Sequence, residues 1–155
     1  MNVVASGSTR PTPGPLVACL AFLLVVWEPV SFALTASSSL GRLAGFGLPA
    51  FALLAARVAV TGFGIVVGRA LWAGTPHAPR AARLWLVLAS LVLAATFATP
   101  YFPSNRLPGT KGPLLTLLLL HHLAWYLYLL RSRRVRAAFA EADADGRVAT
   151  GRAVA

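Results

Sequence analysis

The chain has 155 residues, 57% of them hydrophobic and 12% charged, with a formal charge of +10 and a single cysteine. Soluble domains usually carry about 25% charged residues, so an ordinary soluble domain is excluded, and one cysteine excludes both an internal disulfide and a cysteine-based metal cluster. The basic residues gather at the ends of long apolar runs, the pattern of membrane orientation signals rather than of a nucleic-acid surface.

Residues 1–14 are polar and proline-rich and read as a disordered leader. The first apolar run, about Pro15 to Thr35, is long enough to span a bilayer as a helix. It is too long for a signal-peptide core and carries Glu28 inside it. "LVAC" at Leu16–Cys19 follows "PTPGP" instead of an apolar run, so it is not read as a lipoprotein signal. Pro29 directly follows Glu28 and should kink the helix, because proline lacks an N–H and its ring crowds the carbonyl one turn earlier.

A small-residue connection, "ASSSLGRLAGFG", leads to the second span, about Leu48 to Trp72. Arg57, Thr61, Gly64 and Gly68 share one helical stripe there. Gly64 and Gly68 have the four-residue spacing that lets membrane helices approach closely. The basic loop "AGTPHAPRAAR" follows, with His77 read as a solvated loop residue. The third span runs from about Leu84 to Pro100, with Trp85, Ala89, Val92 and Thr96 on one face. The loop "YFPSNRLPGTKG" leads to the fourth span, about Pro113 to Leu130.

Arg131, Arg133, Arg134 and Arg136 close that span. They act as a stop signal and as an anchor to anionic lipid headgroups, worth about 1 kcal/mol each near the surface. Val135 and Phe139, four residues apart, allow the helix to continue along the membrane surface. Residues 140–155 read as a disordered tail.

Arg10, Arg69, Arg80, Arg83, Arg131, Arg133, Arg134 and Arg136 fall on one side of these spans, and Arg42, Arg106 and Lys111 on the other. Positive charge marks the cytoplasmic side, which places both termini there. The expected fold is all-α: four transmembrane helices in an up-down-up-down bundle over residues 15–139.

Glu28 and Arg57 each cost roughly 3 kcal/mol at mid-span. Counted at 1.5 Å per residue, they lie at similar depth, about 10–13 Å from the same end of adjacent spans, and are expected to pair. His121 and His122 reach that depth on the fourth span, and adjacent helical residues point about 100° apart. His121 is taken as the inward one. The expected polar cluster is Glu28, Arg57, Thr61, Thr96 and His121.

The residues of that cluster allow two readings. Buried polar groups must be satisfied whatever their role, so the cluster can simply hold the helices together. Intramembrane ionisable groups also mark binding sites and proton pathways. Three histidines, one in a loop, make no convincing metal or haem ligand set, and no cofactor is expected. "GFGIVVG" has the wrong spacing for a dinucleotide fingerprint, and no acidic pair suits hydrolysis.

The segment "WYLYLLRSRRVRAAF", Trp125 to Phe139, resembles the bacterial family called domain of unknown function 2569. The likeness is an aromatic-rich helix end, then basic–Ser–basic–basic–Val–basic, then Phe, together with the layout of spans. The resemblance implies a small four-helix inner-membrane protein and brings no activity and no catalytic residues. Three functions stay open: a non-enzymatic scaffold or binding protein, a small oligomeric transporter or proton-coupled carrier using Glu28, and, least favoured, a membrane enzyme. A chain this small has little room for a private aqueous pathway, so a homo-oligomer or a membrane-protein partner fits either of the first two.

Overall fold

The computed structural model describes residues 14–43, 45, 47–99 and 111–140. Most of the expected leader and nearly all of the expected tail lie outside them. The described chain is helical: α1 (Pro15–Phe22), a π-helical turn (Leu23–Trp27), α2 (Glu28–Leu43), α3 (Gly47–Trp72), α4 (Ala78–Ala98) and α5 (Lys111–Arg131). A short helix, α6, covers 133–140. Among the described residues, four stretches are long and apolar enough to cross a membrane: Pro15–Ser37, Gly47–Trp72, Ala78–Ala98 and Lys111–Arg131. The protein is a multi-pass, all-α membrane protein whose spans run up-down-up-down, each packed mainly on its neighbour in the chain.

Several boundaries move from their sequence-based positions. The first helical rod continues to Leu43, through most of the expected small-residue connection. α4 starts at Ala78, so half of the basic loop is helical, with Pro79 in the first turn where its missing N–H is harmless. The α3–α4 turn has a clear chemical cause. Gly74 adopts the left-handed conformation at φ +68°. Its N–H donates to the Leu71 carbonyl, and the Thr75 N–H donates to the Ala70 carbonyl. This pair of bonds closes a helix end with glycine as the left-handed residue. The Thr75 hydroxyl donates to the same Ala70 carbonyl.

The kink expected at Pro29 takes the form of a π turn. The Glu28 N–H donates to the Leu23 carbonyl, five residues back. The wider turn ends at Trp27, two residues before Pro29, whose ring would crowd the carbonyl of Val25 in a regular helix.

The core occupies the half of the molecule nearest the α3–α4 turn. Val17, Leu20, Ala21 and Leu24 come from the first span, Val67 and Leu71 from α3, and Ala82, Trp85, Leu86 and Ala89 from α4. These positions repeat at three and four residues, so each helix buries one stripe. The remaining faces carry exposed large apolar residues such as Phe22, Trp27, Leu34, Val66, Leu91 and Leu117. In water such a surface would drive aggregation; in a bilayer it meets lipid chains. Leu129 is the one residue of α5 that is buried, so α5 keeps most of its surface free.

The helix continues past Arg131 as expected, and one face of α6 packs on the bundle. Val135 and Phe139 are 3% and 6% exposed and belong to the main core. Ser132 interrupts the helix and its hydroxyl accepts from the Val135 N–H, an N-cap that restarts the helix. Arg131, Arg133, Arg134 and Arg136 are all exposed.

Candidate functional site: a polar belt across four spans

Gly64 and Gly68 sit on one stripe of α3 but serve two different neighbours. A Cβ on Gly68 would lie 2.7 Å from Val25 Cγ2 and 3.0 Å from both the Ala21 carbonyl oxygen and Leu24 Cβ. Gly68 therefore lets the first span close on α3. A Cβ on Gly64 would lie 2.6 Å from Trp85 Nε1. Gly64 therefore makes room for the Trp85 indole, whose N–H donates to the Val60 carbonyl at 2.8 Å. That bond pins α4 to α3 and satisfies a polar atom in a residue only 4% exposed.

With those contacts set, the polar side chains of mid-span meet. Arg57 Nη2 lies 3.9 Å from Glu28 Oε1, with the side chains 18% and 25% exposed. The same guanidinium stands over the Phe32 ring, 5.7 Å from its centroid. The ion pair is long and single-point, not the bidentate fork that Arg and carboxylate can form. Glu28 is the first residue past the π turn, so the irregular backbone and the intramembrane charge coincide. Thr61, one turn along from Arg57, is buried on the same stripe.

Across the molecule, His122 Nδ1 and Ser90 Oγ are 2.9 Å apart, joining α5 to α4. Ser90 already donates its proton to the Leu86 carbonyl at 2.8 Å. His122 must therefore be the donor, with its proton on Nδ1 and its Nε2 left as an acceptor. The Trp85 ring meets His122 edge-on at 5.9 Å between centroids. Measured along each helix, Arg57 lies about 15 Å from the start of α3 and His122 about 16 Å from the start of α5, at the same end of the molecule. The Glu28–Arg57 and Ser90–His122 pairs thus lie at one level, and together they touch all four spans.

Two residues of the expected cluster stand elsewhere. Thr96 donates to the Val92 carbonyl of its own helix at 2.7 Å instead of reaching a neighbouring span; a threonine one turn along from a free lone pair satisfies itself locally. His121 is exposed on the far face of α5, where its Nε2 accepts from Trp125 Nε1 at 3.2 Å. The inward histidine is His122, because the face of α5 that meets α4 follows His122, Tyr126 and Leu129. Nothing in the sequence singles out Ser90. A serine in an apolar helix is common, and only its distance to His122 distinguishes it.

The described residues contain no group of three or more His, Cys, Asp or Glu side chains placed to hold a metal. No family model, curated protein or solved structure matches this chain.

Proposed function

We propose that this chain is a non-enzymatic scaffold or binding protein of the bacterial inner membrane, with both termini in the cytoplasm. The observation that carries the reading is how the mid-span polar groups are used. Glu28 engages Arg57, the Trp85 indole engages the Val60 carbonyl, and His122 engages Ser90. Each of these links joins two different spans, the arrangement expected where polar groups fasten helices to one another. Ser90 gives its proton to its own helix, so the Ser90–His122 pair lacks the geometry of a nucleophile and its base. The bacterial setting follows from the resemblance of Trp125–Phe139, and the orientation follows from the arginine distribution. The partners in this reading are anionic headgroups at Arg131, Arg133, Arg134 and Arg136, together with another membrane protein or a second copy. Reporter fusions at the two termini test the orientation; a periplasmic signal from either one refutes it.

A second reading is favoured by one specific feature. Glu28 follows a π turn, is a quarter exposed and holds Arg57 only at 3.9 Å. A loosely held carboxylate at a helix irregularity is suited to exchange a proton or a cation in a small oligomeric transporter. Glu28→Gln, Arg57→Gln and the charge-swapped double variant separate the two readings. If both single variants lose folded protein in membranes and the swap recovers it, the pair serves packing. If Glu28→Gln accumulates and unfolds like the parent, the scaffold reading fails and the carrier reading stands.

A further inference from the structure

Arg83 lies five residues inside α4 and is half-buried. Its Nε donates to the Pro79 carbonyl at 3.4 Å, so the side chain runs back toward the start of its helix. That bond uses one N–H of the guanidinium and leaves those on the terminal nitrogens for another acceptor. The face of α4 that carries Arg83 is fixed by its neighbours. Pro79, Arg83, Leu86 and Ser90 recur at three and four residues, and Ser90 meets His122 of α5. Arg83 stands seven residues before Ser90, and Leu129 seven after His122. The two spans are antiparallel, so both residues lie about 10 Å from that hydrogen bond toward the same end. The Arg83 side chain thereby reaches the level of Arg131 and Arg133, just past Leu129.

Arg80 in the first turn of α4, and Arg134 and Arg136 of α6, add to the same end. Among the described residues Glu28 is the single carboxylate, and it stands thirteen residues into the first span, about 20 Å away. Six guanidiniums therefore share this end with no described carboxylate beside them. α6 is fastened there by two buried side chains, Val135 and Phe139, while Arg133, Arg134 and Arg136 lie on its exposed side. Like charges gathered in this way repel one another and oppose its docking.

We infer that the start of α4 and the α5–α6 junction form one site for the phosphate of an anionic phospholipid headgroup, with Arg83, Arg131 and Arg133 as its donors, and that the bound lipid holds α6 on the bundle. A phosphate diester supplies what the cluster lacks: negative charge, and acceptor oxygens that match paired guanidinium N–H groups. A lipid is its source, because these arginines flank the ends of membrane spans, at the depth where headgroups lie. The inference rests on the headgroup contact proposed above, and adds to it Arg83 and the docking of α6.

The test uses the full chain in nanodiscs of phosphatidylcholine, alone or mixed with phosphatidylglycerol, and reads amide hydrogen exchange over residues 131–140. Phosphatidylglycerol should slow exchange in α6, and high salt should weaken the effect. Arg83→Gln, a change outside α6, should leave exchange in phosphatidylcholine unaltered and reduce the protection by phosphatidylglycerol about fivefold. Arg83→Lys keeps the charge and should keep part of that protection, and Lys111→Gln, at the other end of α5, should change neither. Protection that survives Arg83→Gln would overturn the inference and leave the headgroup contact standing. So would an absence of protection while the purified protein still retains phosphatidylglycerol over phosphatidylcholine; absence of both protection and retention would remove the two together. Equal protection by inorganic phosphate in phosphatidylcholine would identify a free anion as the ligand and overturn the inference. Glu141, Asp143 and Asp145 follow α6 in the sequence, outside the described residues. If α6 is already protected in phosphatidylcholine and replacing these three by amides removes that protection, the chain's own carboxylates take the site and the inference fails.

Discussion

Gly68→Ala puts the packing of the first span on α3 to a direct test. The added methyl would lie 2.7 Å from Val25 Cγ2, 3.0 Å from Leu24 Cβ and 3.0 Å from the backbone oxygen of Ala21. The valine methyl can rotate away. The carbonyl of Ala21 belongs to the helix backbone, so relief there requires the two helices to separate by several tenths of an ångström. Overpacking of this kind costs typically 1–3 kcal/mol. Gly62 is the matched control, on the same helix with nothing within 4 Å of the place a methyl would take. Gly62→Ala should leave stability unchanged or raise it by up to about 1 kcal/mol through helix propensity. Reversible unfolding in mixed micelles, followed by helical circular dichroism, reads the difference. Adding Val25→Ala to Gly68→Ala should recover only part of the loss, because the contacts with Ala21 and Leu24 remain. Equal stability of Gly68→Ala and Gly62→Ala would refute the close approach of these helices.

Trp85→Phe keeps most of the packing but removes the indole donor to Val60, and should cost about 0.5–1.5 kcal/mol in the same unfolding assay. Ser90→Ala and His122→Leu should couple in a double-mutant cycle by about 0.6 kcal/mol, the average for interhelical hydrogen bonds in membranes; additive effects would show that the two side chains do not meet. Phe139→Ala should destabilise the protein by about 3 kcal/mol or more, as a buried phenylalanine does, whereas the same change at an exposed position of α6, Arg136→Ala, should alter stability by less than about 0.5 kcal/mol. A small effect at Phe139 would place α6 in the membrane surface instead of the core.

The inward stripes of the second and third spans were largely legible because helical phase is a local property. Thr61, Gly64 and Gly68 of the second span and Trp85 and Ala89 of the third are buried, while Val92 and Thr96 are half-buried, and each set repeats with the helical period. α5 was harder to read. It is apolar all round, so its sequence carries no strong contrast between the face on α4 and the face toward lipid, and two adjacent histidines leave the choice to the neighbour. α4 offers Ser90 and Trp85 on the side that His122 reaches. Thr96 misled for a related reason: a threonine can satisfy itself on its own helix as readily as on another.

By itself the sequence determined the number of spans, their apolar character and the charges at their ends, because transfer into a bilayer depends on the composition of each segment taken alone. Tertiary structure decided what no single segment contains. It placed the two glycines of one stripe against different partners, turned His122 inward and His121 outward, and brought Val135 and Phe139 into the core. In lipid there is little hydrophobic drive between helices, so close fit and a few polar contacts select the neighbours, and both depend on the relative rotation of helices that lie far apart in the chain.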